Sequence, residues 1–196
     1  MGREPVRIAA VLQRRLVMAG ESIGIQEYLE SYVPSLVEGY LKEKPVANME
    51  GTVFTVQLTI EGERSLVVGI TIEDACRIKV TPGGLDNPMV SVTIPEDVIS
   101  RFTGIVSAFT GRKQYDGVSS ARGALDLQFV LPGDEAIPIS LTFNGQDNPR
   151  GAIKGPADVL AAVMTGQVNG PQAFLEQKLS MSGDMAFLIS LAGLIT

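Results

Sequence analysis

The sequence predicts an α+β fold in which strand hairpins make up a mainly antiparallel sheet. Apolar and polar residues alternate over 53–60 and over 66–72, with a Glu-Gly-Glu turn at 61–63 between them. Such alternation is typical of a strand with one buried face. The same arrangement returns over 125–131 and 137–143. Helix patterns precede and follow these two hairpins, which gives the α+β class.

Two helices are predicted ahead of the first strand. Residues 4–19 fit a helix because their apolar side chains share one stripe, made of Ile8, Val11, Leu12 and Leu16. Ser22 is placed to cap a second helix that continues to Glu43. We expect Pro34 to kink or split that second helix. The chain therefore begins with a predicted helical extension over 1–48.

Further strands and helices are predicted around the hairpins. Short strands are expected at 77–81 and 88–94. Proline suits the first position of a helix, since it has no backbone N–H to leave unpaired. Helices are accordingly predicted to begin at Pro95, Pro156 and Pro171. Residues 183–184 precede a last, apolar helix.

A partial repeat relates the two halves of the predicted sheet. The Asp-Asn-Pro of 86–88 recurs at 147–149, and the Pro-Glu-Asp-Val of 95–98 recurs as Pro-Ala-Asp-Val, in both cases 61 residues later. The hairpins match at a longer spacing, as if the second copy had lost the strand predicted at 77–81. We interpret this as an internal duplication. The alternative is that helices started by proline after a turn resemble one another by chance.

Composition limits the function classes. Hydrophobic residues make up 45% of the 196 residues and charged residues 19%, which favours a packed globular domain. The net charge of -6 argues against a nucleic-acid partner, because phosphate contacts need clustered Lys and Arg. The absence of histidine excludes Ser-His, Cys-His and His-ligated zinc mechanisms. No catalytic residue, metal site or cofactor is predicted, and Cys76 is interpreted as a small buried hydrophobe.

The distribution of apolar residues indicates where in the cell the protein is located. The longest apolar segment, 185–195, is shorter than the roughly 20 residues that a bilayer-spanning helix needs. Arg14 and Arg15 interrupt the apolar residues near the N-terminus, where a secretory signal would be continuous. We therefore expect a cytoplasmic protein.

The C-terminal segment carries a family resemblance. After the helix that begins at Pro156, the chain places Thr165-Gly166, Asn169, Ala173-Phe174, Lys178-Leu179 and Gly183-Asp184-Met185 in order. This pattern resembles the end of the sterol carrier protein type-2 family, as a bacterial-like member. The departures are an inserted Gly170 before the proline and Gln177 in place of the usual glycine.

The resemblance implies an architecture and a function. The family has a sheet covered by helices on one face, which enclose an apolar tunnel for fatty acyl, sterol-like or isoprenoid and quinone lipids. Residues 49–196 would form this lipid-binding domain, and no catalysis is implied. Some bacterial members resemble accessory proteins of quinone pathways, so sterol itself is not implied.

Candidate ligand contacts lie in the matched segment. Methionine, phenylalanine and leucine suit a pocket that adapts to a flexible apolar ligand. The candidates are Met164, Phe174, Leu175, Met181, Met185 and Leu188. The alternative is that each of them belongs to an ordinary core.

Other partners remain open from the sequence. Arg112 with Lys113, and Arg150 with Lys154, could meet an acidic headgroup or could be solvated loop charges. The basic, amphipathic helix predicted at 4–19 could contact a membrane transiently, or it could pack on the sheet or on a second copy in a homodimer. A scaffold protein that assembles partner enzymes through its helices is the alternative to a carrier.

Overall fold

The computed structural model describes most of the chain from residue 46 onward and short pieces before it. The described residues are 28–32, 34–35, 38–39, 46–63, 65–96, 111–133, 135–164 and 167–195. The helix predicted at 4–19 and the helix predicted to begin at Pro95 lie almost wholly outside these ranges. Of the second predicted helix, the π-helical turn Tyr28–Tyr32 is described, and residues 34–35 and 38–39 are helical.

The described elements follow the predicted order, with one helix and two strands added. The strands are β1 Val53–Glu61, β2 Leu66–Glu73, β3 Arg77–Pro82, β4 Val90–Pro95, β5 Gly123–Val130, β6 Ala136–Phe143, β7 Arg150–Pro156 and β8 Ser180–Gly183. The helices are α1 Arg112–Ser120, α2 Ala157–Met164, α3 Gly170–Leu175 and α4 Met185–Ile195. The helix α1 and the strands β7 and β8 were not predicted from the sequence.

Within the described residues the strands form one eight-stranded mixed sheet, in the order β3-β2-β1-β4-β6-β5-β7-β8. Five neighbouring pairs are antiparallel. The pairs β1–β4 and β5–β7 are parallel. The prediction of a mainly antiparallel sheet in an α+β fold is therefore confirmed.

The pairing of the strands repeats between the two halves. Leu58 of β1 lies opposite Val92 of β4 in the first half, and Leu127 of β5 lies opposite Ile153 of β7 in the second. The pairing of β4 with β6 has the same direction and register as the pairing of β7 with β8. In the first half β3 lies on the outer side of β2. In the second half β4 takes the corresponding place beside β6. The two halves thus share strand order, direction and register, which supports the interpretation as a duplication.

One face of the sheet is apolar in both halves. We call it the inner face; it carries alternate residues of each strand, such as Phe54 and Ile60 of β1 or Leu125 and Phe129 of β5. Over the second half, helices α2 and α4 contact this face, and α1 packs against α4. The helix cover that the family resemblance implied is described over this half only.

A glycine in β7, Gly151, allows α4 to approach the sheet closely. A Cβ atom added at Gly151 would lie 2.5 Å from Cδ2 of Leu188 on α4. Leu188 is 2% exposed, and Val118 of α1 and Leu160 of α2 are also buried in this core. The small residue on the strand therefore fixes the depth at which the helix sits.

Candidate functional site

Two side-chain caps hold the helices of the C-terminal segment. The backbone N–H of Gln172 donates to Oδ1 of Asn169 over 3.0 Å at the start of α3. The backbone N–H of Phe187 donates to Oδ1 of Asp184 over 2.9 Å at the start of α4. A side-chain oxygen at this position satisfies an N–H that the helix leaves unpaired. Two residues of the family motif thus have a structural role, which is to set where α3 and α4 begin.

Helix α4 has apolar side chains on both of its faces. Phe187, Leu188 and Leu191 point into the core. Met185 is 40% exposed and Ile189 65% exposed. A helix that is apolar all round is usually buried on all sides, so the outward face of α4 is an unusual surface.

The neighbouring helix α3 extends this apolar exposure. Phe174 is 37% exposed and Leu175 79% exposed, and α3 contacts α4. Of the five large apolar side chains that are exposed among the described residues, four lie in this segment. We call Phe174, Leu175, Met185 and Ile189 the α3–α4 surface. Exposed apolar side chains concentrated in this way are typical of a site that meets an apolar partner.

The structure divides the predicted ligand contacts between two environments. Phe174, Leu175 and Met185 belong to the α3–α4 surface. Leu188 is buried against the sheet, and Met181 of β8 is partly buried opposite Ile153 of β7. The side chain of Met164, at the end of α2, lies outside the described part of the chain. The structure therefore does not bring the six together in one place, and their contact with a ligand stays a prediction.

Ile189 is a surface residue that sequence reasoning missed. It stands four residues after Met185, and residues at this spacing share one face of a helix. The spacing alone could have pointed to it, but the outward direction of that face could not be read from an apolar helix.

A group of partly buried apolar side chains lies in the first half of the sheet. In the middle of the inner face, Val56, Leu58, Ile70 and Val92 are only partly buried, although β1 is flanked by strands on both sides. We call these four residues the first-half floor. The sequence marked them as strand residues but did not distinguish them from ordinary core.

The basic residues considered for headgroup binding are partly engaged within the protein. The guanidinium of Arg112 pairs with Asp116 at 2.9 Å and stacks over the ring of Tyr115. Arg150 pairs with Asp126 at 2.7 Å. Lys113 and Lys154 are exposed. Both arginines thus form surface ion pairs, and they lie in α1 and β7 and not in the loops that the sequence suggested.

An exposed ion pair borders the α3–α4 surface. Nζ of Lys178 lies 2.6 Å from Oε2 of Glu176, directly after α3. The hydrogen bond from Lys178 lowers the pKa of Glu176 below its ordinary value, and the hydrogen bond from Gln172 lowers it further. The carboxylate is therefore held in its charged form beside the exposed Leu175.

The described residues contain neither a metal-binding cluster nor a helix that could span a membrane. In the ranges that the structure describes, no three His, Cys, Asp or Glu side chains are grouped to hold a metal ion. The described helices include none that is long and apolar enough to cross a membrane.

Comparison with protein families bears on the same C-terminal segment. Residues 126–196 match the SCP-2 sterol transfer family. This match confirms the resemblance that the motif from Thr165 to Met185 predicted. It covers the second half of the sheet and helices α2, α3 and α4, whereas the first half lies outside it. Among curated proteins, none matches the chain.

Several solved structures are similar to this chain at low identity. Palmitated SCP2L2 from Aedes aegypti is 12% identical, with a TM-score of 0.26 over 83% of this chain and 90% of that one. A ubiquinone synthesis protein, UbiJ-SCP2, is 10% identical, with a TM-score of 0.29 over 89% and 93%. Sterol carrier protein domain 2 of Helicoverpa armigera is 13% identical, with a TM-score of 0.24 over 84% and 82%. Likenesses this weak carry no argument about a ligand.

Proposed function

We propose that the protein binds and carries an apolar lipid and performs no catalysis. The observation that carries this proposal is the α3–α4 surface, because its exposed apolar side chains lie in the segment that matches the SCP-2 sterol transfer family. Covering such side chains with a lipid removes apolar surface from water, at about 25 cal/mol per Å². The absence of histidine, which excludes the histidine-dependent mechanisms, also supports a carrier.

The predicted contacts take two roles in this proposal. Phe174, Leu175 and Met185 meet the lipid directly, since they are exposed on adjoining helices. Leu188 and Met181 lie beneath them and support the surface from the side of the sheet. Met164 is proposed as a further contact at the end of α2.

The ligand class is an open part of the proposal, with fatty acyl, sterol-like and isoprenoid or quinone lipids as the candidates. A polyene fatty acid whose fluorescence rises on leaving water would report binding to the full chain. Unlabelled fatty acids, prenols, sterols and quinones would then compete with it. Displacement by at least one class is expected, whereas a chain that binds none of the four is not a lipid carrier.

A scaffold role is the second candidate, and the α3–α4 surface is again the observation in its favour. An exposed apolar surface can be covered by a partner protein or by a second copy of the chain as well as by a lipid. Sedimentation of the wild type beside a Leu175→Ser and Ile189→Ser double variant separates these cases. A dimer that the double variant abolishes would favour the scaffold, and a monomer in both samples would favour the carrier.

Membrane contact through the N-terminal segment belongs to the same proposal, as does a cytoplasmic location. Arg3, Arg7, Arg14 and Arg15 accompany the apolar stripe of the predicted helix. Each basic residue near an anionic membrane contributes about 1 kcal/mol. Deleting residues 1–20 is expected to weaken binding to anionic vesicles and to leave lipid binding in solution intact. Loss of folding or of lipid binding would show instead that the segment is structural.

A further inference from the structure

The two edge strands of the described sheet, β3 and β8, differ in how their outer sides are protected. On β3, the N–H of Ile78 donates to Oε1 of Glu38 over 3.0 Å. The same strand carries basic side chains and ends at Pro82, which has no N–H to donate. Such features keep a further strand from adding to the edge of a sheet. Strand β8 has the sequence Ser-Met-Ser-Gly, with neither a charge nor a proline.

The outer side of β8 presents backbone groups that are ready to pair. Hydrogen-bonded positions alternate along an antiparallel ladder. The N–H of Asp184 donates to the carbonyl oxygen of Arg150 in β7 over 2.9 Å, so Ser182, two residues earlier, is also bonded to β7. The N–H groups of Met181 and Gly183 therefore point away from β7. Neither of them has an acceptor in the part of the chain that the structure describes.

The repeat within the sheet shows which kind of strand fits beside β8. Strand β8 pairs with β7 as β6 pairs with β4, so that Met181 takes the place of Leu141. The bond that ends the ladder also recurs, because the N–H of Asn144 donates to the carbonyl oxygen of Met89 over 2.8 Å. On its other side β6 pairs with β5, which is antiparallel to it. The outer side of β8 therefore corresponds to one that carries an antiparallel strand inside the sheet.

A second copy of β8 is itself a strand of this kind. An antiparallel pair centred on Ser182 sets Met181 of one copy opposite Gly183 of the other, where the Met181 carbonyl oxygen can accept from the Gly183 N–H. A pair centred on Met181 would set Gly183 opposite Leu179, whose N–H already donates to the carbonyl oxygen of Ala173 over 3.3 Å. The uncharged strand also brings no like charges together.

We propose that two copies of the chain join through β8, as an antiparallel pair about a two-fold axis at Ser182. The pairing makes one continuous sheet across both copies. Because this axis is perpendicular to the sheet, the inner faces of both copies lie on the same side, together with the α4 helices that contact them. The pairing goes beyond the proposed function and does not depend on it. Where the proposed function holds, a membrane meets two α3–α4 surfaces at once.

Cysteine cross-linking tests the pairing and its register. Cys76→Ser first removes the only cysteine. In that background Ser182→Cys is expected to give a disulfide-linked dimer on mild oxidation, since its Cα atom lies about 4.5 Å from its counterpart, within reach of a disulfide. Ser180→Cys is the matched control, exposed on the same face of β8. Its counterpart lies about 13 Å away along the strand, so it is expected to stay unlinked.

A charge at the same two positions tests the dimer without oxidation. Ser182→Lys places like charges opposite each other and is expected to weaken dimerisation about tenfold or more in analytical ultracentrifugation. Ser180→Lys is expected to dimerise as the wild type does. The Leu175→Ser and Ile189→Ser double variant should also remain a dimer, because the pairing uses the backbone of β8. Thermal unfolding of each variant shows that an effect on dimerisation is not a loss of fold.

The outcomes separate this inference from the proposed function. A wild type that stays monomeric at high concentration, or a Ser182→Cys variant that links no more than Ser180→Cys, overturns the inference and leaves the carrier function standing. A dimer that the double variant abolishes also overturns it, because the α3–α4 surface would then be the interface. A cross-linked Ser182→Cys dimer that binds no fatty acid, prenol, sterol or quinone overturns the carrier function and supports the inference.

Discussion

Leu58 and Leu127 stand at the same position in two copies of one strand arrangement, but only Leu127 is buried. Each faces an aliphatic residue on the parallel neighbour, Val92 for Leu58 and Ile153 for Leu127. Leu127 is 5% exposed, while Leu58 remains partly exposed in the middle of a central strand. The two leucines therefore differ in burial although the pairing of their strands is the same.

Enlarging these two leucines should have unequal effects on stability. Leu127→Phe adds volume to a filled core and is expected to lower the free energy of unfolding by about 1–3 kcal/mol. Leu58→Phe adds volume at a partly exposed position and should change it by less than about 0.5 kcal/mol. Urea denaturation of the two lipid-free variants measures both values. Equal losses would mean that Leu58 is packed as tightly as Leu127.

The contact between Gly151 and Leu188 should be seen as a coupling between two substitutions. Gly151→Ala places a methyl group where Leu188 lies and is expected to cost about 1–3 kcal/mol of unfolding free energy. Leu188→Ala should cost about 2–5 kcal/mol by leaving a cavity. In the double variant the new methyl group meets no side chain, so the two losses should not add. Strict additivity, measured by denaturant unfolding, would show that α4 does not rest on Gly151.

The two faces of α4 should respond differently to truncation. Ile189→Ala removes an exposed side chain and is expected to change the unfolding free energy by less than about 0.5 kcal/mol. The adjacent Leu188→Ala is its control on the buried face. If Ile189→Ala destabilised the ligand-free monomer by several kcal/mol, the outward face of α4 would be part of the core.

The ion pair after α3 should govern the titration of Glu176. Lys178→Met is expected to raise the pKa of Glu176 toward its ordinary value, because the principal cause of the lowering is removed. Gln172→Ala should raise it less. A carboxylate whose pKa is lowered by folding adds stability above its ordinary pKa, and this is lost as the pH falls through the lowered value. Because the pair is exposed, its effect on stability at neutral pH should be small, and a carboxyl NMR titration with no change in Lys178→Met would contradict the assignment.

The strands of the two hairpins could be predicted from the sequence because each half-buried strand leaves its period in the letters, whereas β7 and β8 were not predicted. Phe54 and Ile60, or Ile137 and Ile139, alternate with residues of the other face. The repeat could also be predicted, since the turns and prolines that flank the strands recur. The prediction that the second half lacks a copy of β3 came from the longer spacing at which the two hairpins match.

The helix α1 could not be predicted because it has no apolar stripe. Val118 is its buried residue, and polar contacts hold the rest. Arg112 pairs with Asp116 one turn along, and the side-chain amide of Asn144 donates to the carbonyl oxygens of Val118 and Ala121 at its end. A cap supplied by a residue this far along the chain leaves no local signal.

The α3–α4 surface was only partly predictable. Phe174, Leu175 and Met185 were identified through the motif that resembles the family, but an apolar helix such as α4 does not show which side faces the sheet. The partial burial of Val56 and Leu58 left no signal in the sequence, because these residues have the same apolar character as Leu125 and Leu127.

The central claim, that this protein carries an apolar lipid, is tested most directly by the number of lipids bound per chain. Native mass spectrometry of the full-length protein, purified from cells and then titrated with a long-chain fatty acid, measures that number. The account predicts at least one bound lipid per chain at saturation. A chain that stays free of lipid throughout the titration would contradict the carrier function.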